Sequence, residues 1–356
     1  MESTFETRSV SDIDLPIISP LPTLAVPYLI FLGDAQSHIL AKTGNGIKHW
    51  RPELCLGQLR LDGCVADLGL PDMSVRKASM IGAKSLLLGA APAGGQFEAC
   101  WMPTLYEAVE CGLDIVAGFH SRLNDIPKLV KAAEVQGVRL IDIRIPPDKI
   151  AIALGRKRTG LRLLTVGTDC AVGKKYTALA IESEMRSRNM PASFRATGQT
   201  GMMIAGRGVP MDSVVSDFLS GAAELLSADN APEHWDIIEG QGSLFHPAYA
   251  AVSLGLLHGS QPDAIVFCHE ASRDYIDEYP NFRIPPISEC IDRNLLMGTL
   301  TNSKIRCVGV SLNSSQLDPA VREAAMSKIS DETGVPCVDP LVEGVEAIVD
   351  LLEQEF

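Results

Sequence analysis

Aromatic residues make up only 5% of this 356-residue chain, and it contains no C-x-x-C pair, no H-E-x-x-H and no apolar run of the roughly 18 to 20 residues that a membrane span needs. Each shortage removes a class of function. Too few rings are available for the base-stacking platforms of single-strand nucleic-acid binders. Basic residues are also in deficit: 31 Lys and Arg against 44 Asp and Glu give a formal net charge of −13, which opposes nucleic acid or an anionic membrane as the main partner. Any anionic ligand must find a locally positive site. The nine cysteines are odd in number and scattered, which suits free thiols in a reducing cytoplasm and argues against a disulfide framework or zinc site. Histidines such as His120 and His269 show no metal-ligand spacing, so no metal is expected. The opening M-E-S-T-F-E-T-R-S-V is acidic and lacks the basic flank and apolar core of a secretory signal.

What the chain does have is apolar content: 46% hydrophobic residues over this length suit two packed domains. Short apolar runs alternate with helical patterns, the rhythm of doubly wound α/β domains with parallel sheets. Residues 1–22 read as an N-terminal arm, 23–154 as a first domain and 155–356 as a second, with the basic G-R-K-R-T-G of Gly155–Gly160 at the boundary. In the first domain, strands are expected at Tyr28–Leu32, Cys64–Leu68, Ser85–Ala90, Asp114–Phe119 and Arg139–Ile143, and helices at Ser74–Gly82, Met102–Cys111 and Pro127–Gln136. In the second, strands are expected at Ala192–Ala196, Trp235–Glu239, Ala264–Cys268, Arg306–Val310 and Pro336–Val338. Helices there fall at Gly173–Ser187, Ser213–Leu226, Tyr249–His258, Pro319–Lys328 and Val342–Leu352. The Pro-containing stretch Arg273–Pro286 reads as a lid or a long connection.

The second domain opens on L-L-T-V-G-T-D-C-A-V-G-K-K-Y, residues 163–176, a strand running into a glycine-bounded loop and then lysine. Backbone N–H groups in such a loop, with the following helix N-terminus, make a concave seat for phosphate. Gly167, Thr168, Asp169, Cys170, Ala171, Val172, Gly173, Lys174, Lys175 and Tyr176 are therefore the candidate ligand-binding residues, with Lys174 supplying charge to the phosphates. The loop is one residue longer than a Walker A loop, and Lys175 stands where a Ser or Thr would hold magnesium. It is suited to gripping phosphate and poorly suited to splitting it.

The G-T-D-C-A-V-G-K loop and the later I-E-G-Q-G-S-L of residues 238–244 resemble the phosphate loop and strand end of dethiobiotin synthetases. A longer set of strings resembles the D-glutamate N-acetyltransferase family, whose members pair a Rossmann-like N-terminal domain with a P-loop NTPase-like C-terminal one. It includes P-Y-L-I-F-L-G-D-A (27–35), A-K-T (41–43), W-R-P-E (50–53), A-D-L-G-L-P-D-M (66–73), F-R-A-T-G-Q-T-G (194–201), W-D-I-I-E-G-Q-G-S-L-F-H-P (235–247) and S-L-G-L-L-H-G-S-Q-P-D-A (253–264). Members of the family often carry Met at the position of Lys175.

The resemblance implies transfer of an acetyl group from acetyl-CoA to the amino group of D-glutamate, with no metal requirement. Coenzyme A carries a pyrophosphate, which a non-hydrolytic loop could hold, and Arg158 in the boundary segment could add positive charge. A dicarboxylate acceptor calls for cationic forks. Arg207 is the first expectation and Arg195 the second, with the polar Thr197, Gln199 and Thr200 beside them. Amide formation needs a base, for which Glu239 comes first and His246 second, and oxyanion donors, for which Gly240, Gln241, Gly242 and Ser243 are placed. Cys170 offers a route through an acetyl-thiol intermediate. An ATP-dependent ligase or kinase and a non-enzymatic nucleotide-binding subunit are the alternatives. The arm and apolar content fit a homodimer or higher homo-oligomer.

Overall fold

The computed structural model describes residues 24–90 and 96–356. The arm expected at 1–22 lies outside the described residues. Five parallel strands, β1 (Tyr28–Gly33), β2 (Cys55–Arg60), β3 (Ser85–Leu88), β4 (Asp114–Ala117) and β5 (Leu140–Asp142), form a first sheet in the order β2-β1-β3-β4-β5. Strands β1, β3 and β4 are buried along their whole length, which is why they read as continuous apolar runs. Around them lie α1 (Lys42–Trp50), α2 (Val75–Met80), α3 (Met102–Glu110) and α4 (Pro127–Gln136).

The second sheet is also wholly parallel. Its strands β6 (Leu161–Gly167), β7 (Ala192–Arg195), β8 (Trp235–Ile238) and β9 (Ala264–Glu270) are followed by an antiparallel hairpin, β10 (Tyr275–Ile276) and β11 (Tyr279–Arg283), and then by β12 (Arg306–Asn313) and β13 (Cys337–Val338). The order is β13-β12-β9-β6-β8-β7, with β6 at the centre. Its helices are α5 (Lys174–Ser187), α6 (Gln199–Ala205), α7 (Leu219–Leu226), α8 (Ala250–Ser260), α9 (Ile287–Gly298), α10 (Pro319–Thr333) and α11 (Glu346–Glu355).

The two sheets share a core. One face of the first sheet, through Leu29, Phe31, Leu86 and Leu88, packs on α2, α3 and α4. The opposite face, through Ile30, Leu32, Leu87 and Val116, joins Ile47 of α1 and Met202 and Met203 of α6 in a cluster that runs on to Leu163 of β6 and Ile181 of α5. Helix α6 thus belongs to the second domain by sequence and to both by packing.

Several expectations change. Residues 64–68 are not a strand: residues 55–60 already occupy the edge beside β1, so Ala66 and Leu68 bury without joining the ladder, and the Val65 and Ala66 amides donate to Ala35 O instead. The polar stretch after β7 continues as a helix from Gln199, α6, which was not expected. Helices α1 and α9 carry no strong start signal and were not expected. The helix expected from Ser213 begins at Leu219, after two single 3-10 turns. The 273–286 stretch holds the β10–β11 hairpin.

Candidate active site

Strand β6 ends at Gly167, so tightly set against β9 that a β-carbon there would stand 2.6 Å from Cys268 O. The chain then turns through Thr168–Gly173, with Ala171 at φ +57° and Gly173 at φ +108°, into Lys174, the first residue of α5. Val172 is fully buried and anchors the turn. Residues from Cys170 through Thr177 line a cavity of about 650 Å³ at the C-terminal ends of the strands. This is where ligands bind open α/β sheets, at the point where strand order reverses. Lys174 is buried, its ammonium pushed toward neutrality by desolvation, and Nζ donates to Asp169 O at 2.6 Å. With the α5 amides it gives the cavity floor a positive potential suited to phosphate.

The first three loop residues, Gly167, Thr168 and Asp169, are not among those lining this cavity. Gly167 and Thr168 lie below the cavity, Thr168 Oγ1 standing 3.0 Å from His269 Nδ1. Asp169 is fully buried. Its Oδ1 accepts from the Cys170 amide at 2.6 Å, and its Oδ2 from Arg273 and the Asp277 amide at 2.9 and 2.8 Å. It fastens the β10–β11 hairpin to the loop instead of facing a ligand. The Asp169 carboxylate, the Cys170 thiol and a His246 ring nitrogen converge within 4.8 Å, but the Arg273 guanidinium already occupies the carboxylate. Burial raises the Cys170 pKa, against the opposing pull of Lys174 and Arg273.

Glu239 follows β8 directly and is 4% exposed, within the same cavity. Its Oε2 accepts from the Thr197 and Gly198 amides at 2.9 and 3.0 Å, just ahead of α6. Gly201 makes this possible, since a β-carbon there would stand 2.3 Å from Oε2. Burial raises the Glu239 pKa, against the opposing pull of Lys175 and the two amides. A carboxyl with raised proton affinity opening on a phosphate-binding cavity is equipped to take a proton from a substrate.

His246 is better placed to donate than to accept. Its Nδ1 already accepts from the Ala248 and Tyr249 amides at 3.0 and 3.2 Å, which leaves the proton of the neutral ring on Nε2. Ser243 is likewise spent: its buried hydroxyl donates to Gly167 O and Thr168 O, both at 2.8 Å, bracing the loop from below. The Gly240 amide donates to Thr165 Oγ1 at 3.0 Å, so of the expected oxyanion donors Gln241 and Gly242 remain at the cavity wall. Gln199 and Thr200 line the cavity; Thr197, behind them, donates to Glu239 O at 2.7 Å.

The three expected arginines lie elsewhere. Arg195 is locked onto Asp236, Nη2 to Oδ1 at 2.7 Å, and points away from the cavity. Arg207, past the far end of α6, lines a separate cavity of about 420 Å³ beside β5. Arg158 is buried before β6, Nη2 donating to Gly259 O and Ser260 O at 2.6 and 2.9 Å, the length of a seven-residue strand (about 20 Å) from the loop.

Residues the sequence reading missed complete the cavity. Lys42 of α1 and Arg144, just past β5, come from the first domain; Ser311 and Asn313 at the C-terminal end of β12 and Asp339 and Leu341 past β13 form another wall. Lys175 turns toward the first domain, its Nζ 4.9 Å from the Tyr176 ring centroid and next to Gly46, where a β-carbon would stand 3.8 Å away. Tyr176 packs against Trp50 and His49, ring centroids 6.0 and 6.2 Å apart. Thr177, which could have replaced the missing magnesium-binding hydroxyl, instead donates to Gly173 O at 3.1 Å and pairs with Ser311 at 2.7 Å.

Family models described as domains of unknown function match most of the chain: a Rossmann-like domain, DUF1611_N, over residues 60–146, and a P-loop domain, DUF1611_C, over residues 149–349. A protein of Pseudoalteromonas sp. named D-glutamate N-acetyltransferase is 46% identical over 323 residues, 91% of this chain and 97% of its own length. Another of the same name from Tritonibacter scottomollicae is 44% identical, covering 92% and 99%. The crystal structure of a DUF1611 family protein from Anabaena variabilis superimposes with a TM-score of 0.83 at 30% identity, covering 93% of this chain and 100% of that one. With the two parallel α/β domains and the intact phosphate loop, these likenesses place the chain in the D-glutamate N-acetyltransferase family, whose two halves are the Rossmann-like and P-loop domains of DUF1611.

Proposed function

We propose that this enzyme transfers the acetyl group of acetyl-CoA to the amino group of D-glutamate, giving N-acetyl-D-glutamate and coenzyme A. The observation that carries the chemistry is Glu239, a buried carboxyl opening on the same cavity as the phosphate loop. The loop, α5 and Lys174 hold the pyrophosphate of the carrier, whose nucleoside end fits the Ser311–Asn313 and Asp339–Leu341 wall. The acceptor ammonium first loses a proton to solvent; the neutral amine then attacks the thioester carbonyl, and Glu239 takes a proton from its nitrogen. The Gln241 and Gly242 amides stabilise the oxyanion. The C–S bond then breaks, and the proton held on Glu239 neutralises the departing thiolate. Transfer is direct, without an acetyl-Cys170 intermediate.

The ligase alternative is not favoured: Thr177, which could replace the hydroxyl that Lys175 displaces, is already bonded to Gly173 O and Ser311. The test is thiol release from acetyl-CoA across D- and L-amino acids with mass identification of the product. Release with D-glutamate that survives EDTA and yields no ADP is the expected result. Release only with ATP and magnesium overturns it. The same reading puts the enzyme in the cytoplasm, where nine free cysteines stay reduced, and as a homo-oligomer, checked by light scattering. Among the described residues no helix is long and apolar enough to cross a membrane.

A further inference from the structure

The first domain sends two cations into the cavity, and the transfer chemistry above uses neither. Lys42 stands in the first turn of α1, exposed, and among the described residues no carboxylate lies within ion-pair distance of it. Arg144 rests on Asp212, a side chain 39% exposed. The Asp212 side chain is partly open to solvent, so a ligand carboxylate can compete with it for the guanidinium. Lys175 belongs to the same group. Burial pushes its ammonium toward neutrality, Glu239 opposes this, and Lys42 pushes the same way as burial. The charge of Lys42 is therefore felt at Lys175.

Asp212 is the acidic partner of Arg144, and the cavity's other carboxyls do not offset Lys42 and Lys175. Burial favours the neutral form of Glu239. Asp339, past β13, is engaged by the Ser314 amide at 3.0 Å and the Leu341 amide at 3.0 Å. In a protein of net charge −13, this end of the cavity is a local positive site. Its position follows from the strand order. The nucleoside wall lies at the ends of β12 and β13, the phosphate loop beyond β6, Glu239 beyond β8, and the first domain past that, against α6. An amino acid whose amine reaches Glu239 can extend its side-chain carboxylate, two methylenes further out, away from the carrier and toward the first domain.

We propose that Lys42 and Arg144 form the subsite for the side-chain carboxylate of the acceptor, so that the N-terminal domain sets the preference for an acidic over a neutral amino acid. The assignment rests on the acceptor being D-glutamate, as read above. Arg144 offers a planar fork and Lys42 a point charge, a pair that fits one carboxylate.

The test compares D-glutamate with D-glutamine, its neutral isostere, in the full-length enzyme and in Lys42→Met and Arg144→Gln variants. In each variant kcat/KM for D-glutamate should fall by about 10- to 100-fold. The KM for acetyl-CoA should stay within about threefold, and kcat/KM for D-glutamine should hold or rise. Unchanged D-glutamate kinetics overturn the subsite, and so does an equal loss for both acceptors, which would make these residues merely structural. If the unmodified enzyme releases thiol with no D-amino acid, the proposed function fails, and the subsite is then judged by calorimetry with glutarate. Binding at least about tenfold weaker in both variants upholds it, and equal binding overturns it.

Discussion

At the N-terminal end of β6 basic residues are sunk into the protein, and at its C-terminal end they surround a cavity. Arg162 is 1% exposed and fully engaged: Nε donates to Ser227 Oγ at 2.9 Å, Nη1 to Gly160 O at 3.1 Å and Nη2 to Thr159 O at 3.0 Å. Arg158, four residues earlier, closes the last turn of α8 through Gly259 and Ser260. Burial lowers the pKa of both, that of Arg158 to about 10. Lys174, Lys175, Lys42 and Arg144 instead open on one shared space. The two sets are chemically alike, and position on the parallel sheet decides their use. Carbonyl-rich helix ends gather where the strands begin, and amide-rich helix starts where they finish, so the second end alone attracts anions.

Breaking this contrast at its most sensitive point means Glu239→Gln, which keeps an acceptor oxygen for the Thr197 and Gly198 amides but removes the proton acceptor. We expect kcat to fall by about a thousandfold with acetyl-CoA binding retained. In the unmodified enzyme, kcat should rise with pH as Glu239 ionises. Because burial raises its pKa, that limb lies above the ordinary 4.5 and should vanish in the variant. Stopped-flow rates across pH check both. At the opposite end of the strand, Arg162→Met should cost about 3 kcal/mol of stability by stranding several buried carbonyls, with the D-glutamate KM of the folded fraction unchanged. Urea denaturation reads the first effect and steady-state kinetics the second.

A smaller effect sharpens the comparison. Lys174→Ala should raise the acetyl-CoA KM by about 10- to 100-fold, at most about 3 kcal/mol, and leave D-glutamate recognition largely intact. Unchanged coenzyme affinity would move the phosphate seat elsewhere. Smallest is Arg207→Ala, for which no change in either KM is expected because that side chain faces a different cavity. A higher D-glutamate KM in that variant would restore the role that the sequence suggested for it.

Legibility in the sequence followed the range of the interactions involved. The phosphate loop, its strand and helix, and the emergence of Glu239 at a strand end are local patterns, and all were readable. The strands of the buried parallel sheets were readable as apolar runs, except where residues 64–68 mimic one while the neighbouring 55–60 holds the sheet edge. Side-chain direction was not readable. Asp169, Thr168 and Ser243 look like ligand contacts by residue type, yet each is consumed in bracing the loop or its hairpin. Arg207 sits close to Gln199 in the chain, but α6 intervenes and carries it to another cavity. Lys42 and Arg144 were invisible as cavity residues: the packing of α1 on α6, with Thr43 Oγ1 3.3 Å from Thr200 Oγ1, brings Lys42 to a loop more than a hundred positions away, and Arg144 arrives separately, just past β5.

Tyr176 sits two residues past the loop lysine and is wedged against Trp50 and His49 of the other domain. The helix that would grip the carrier is consequently bolted to the half that would read the acceptor. A tilt between the halves cannot widen one seat without tugging on the other, and cutting the chain at their junction would strip each fragment of part of its working surface.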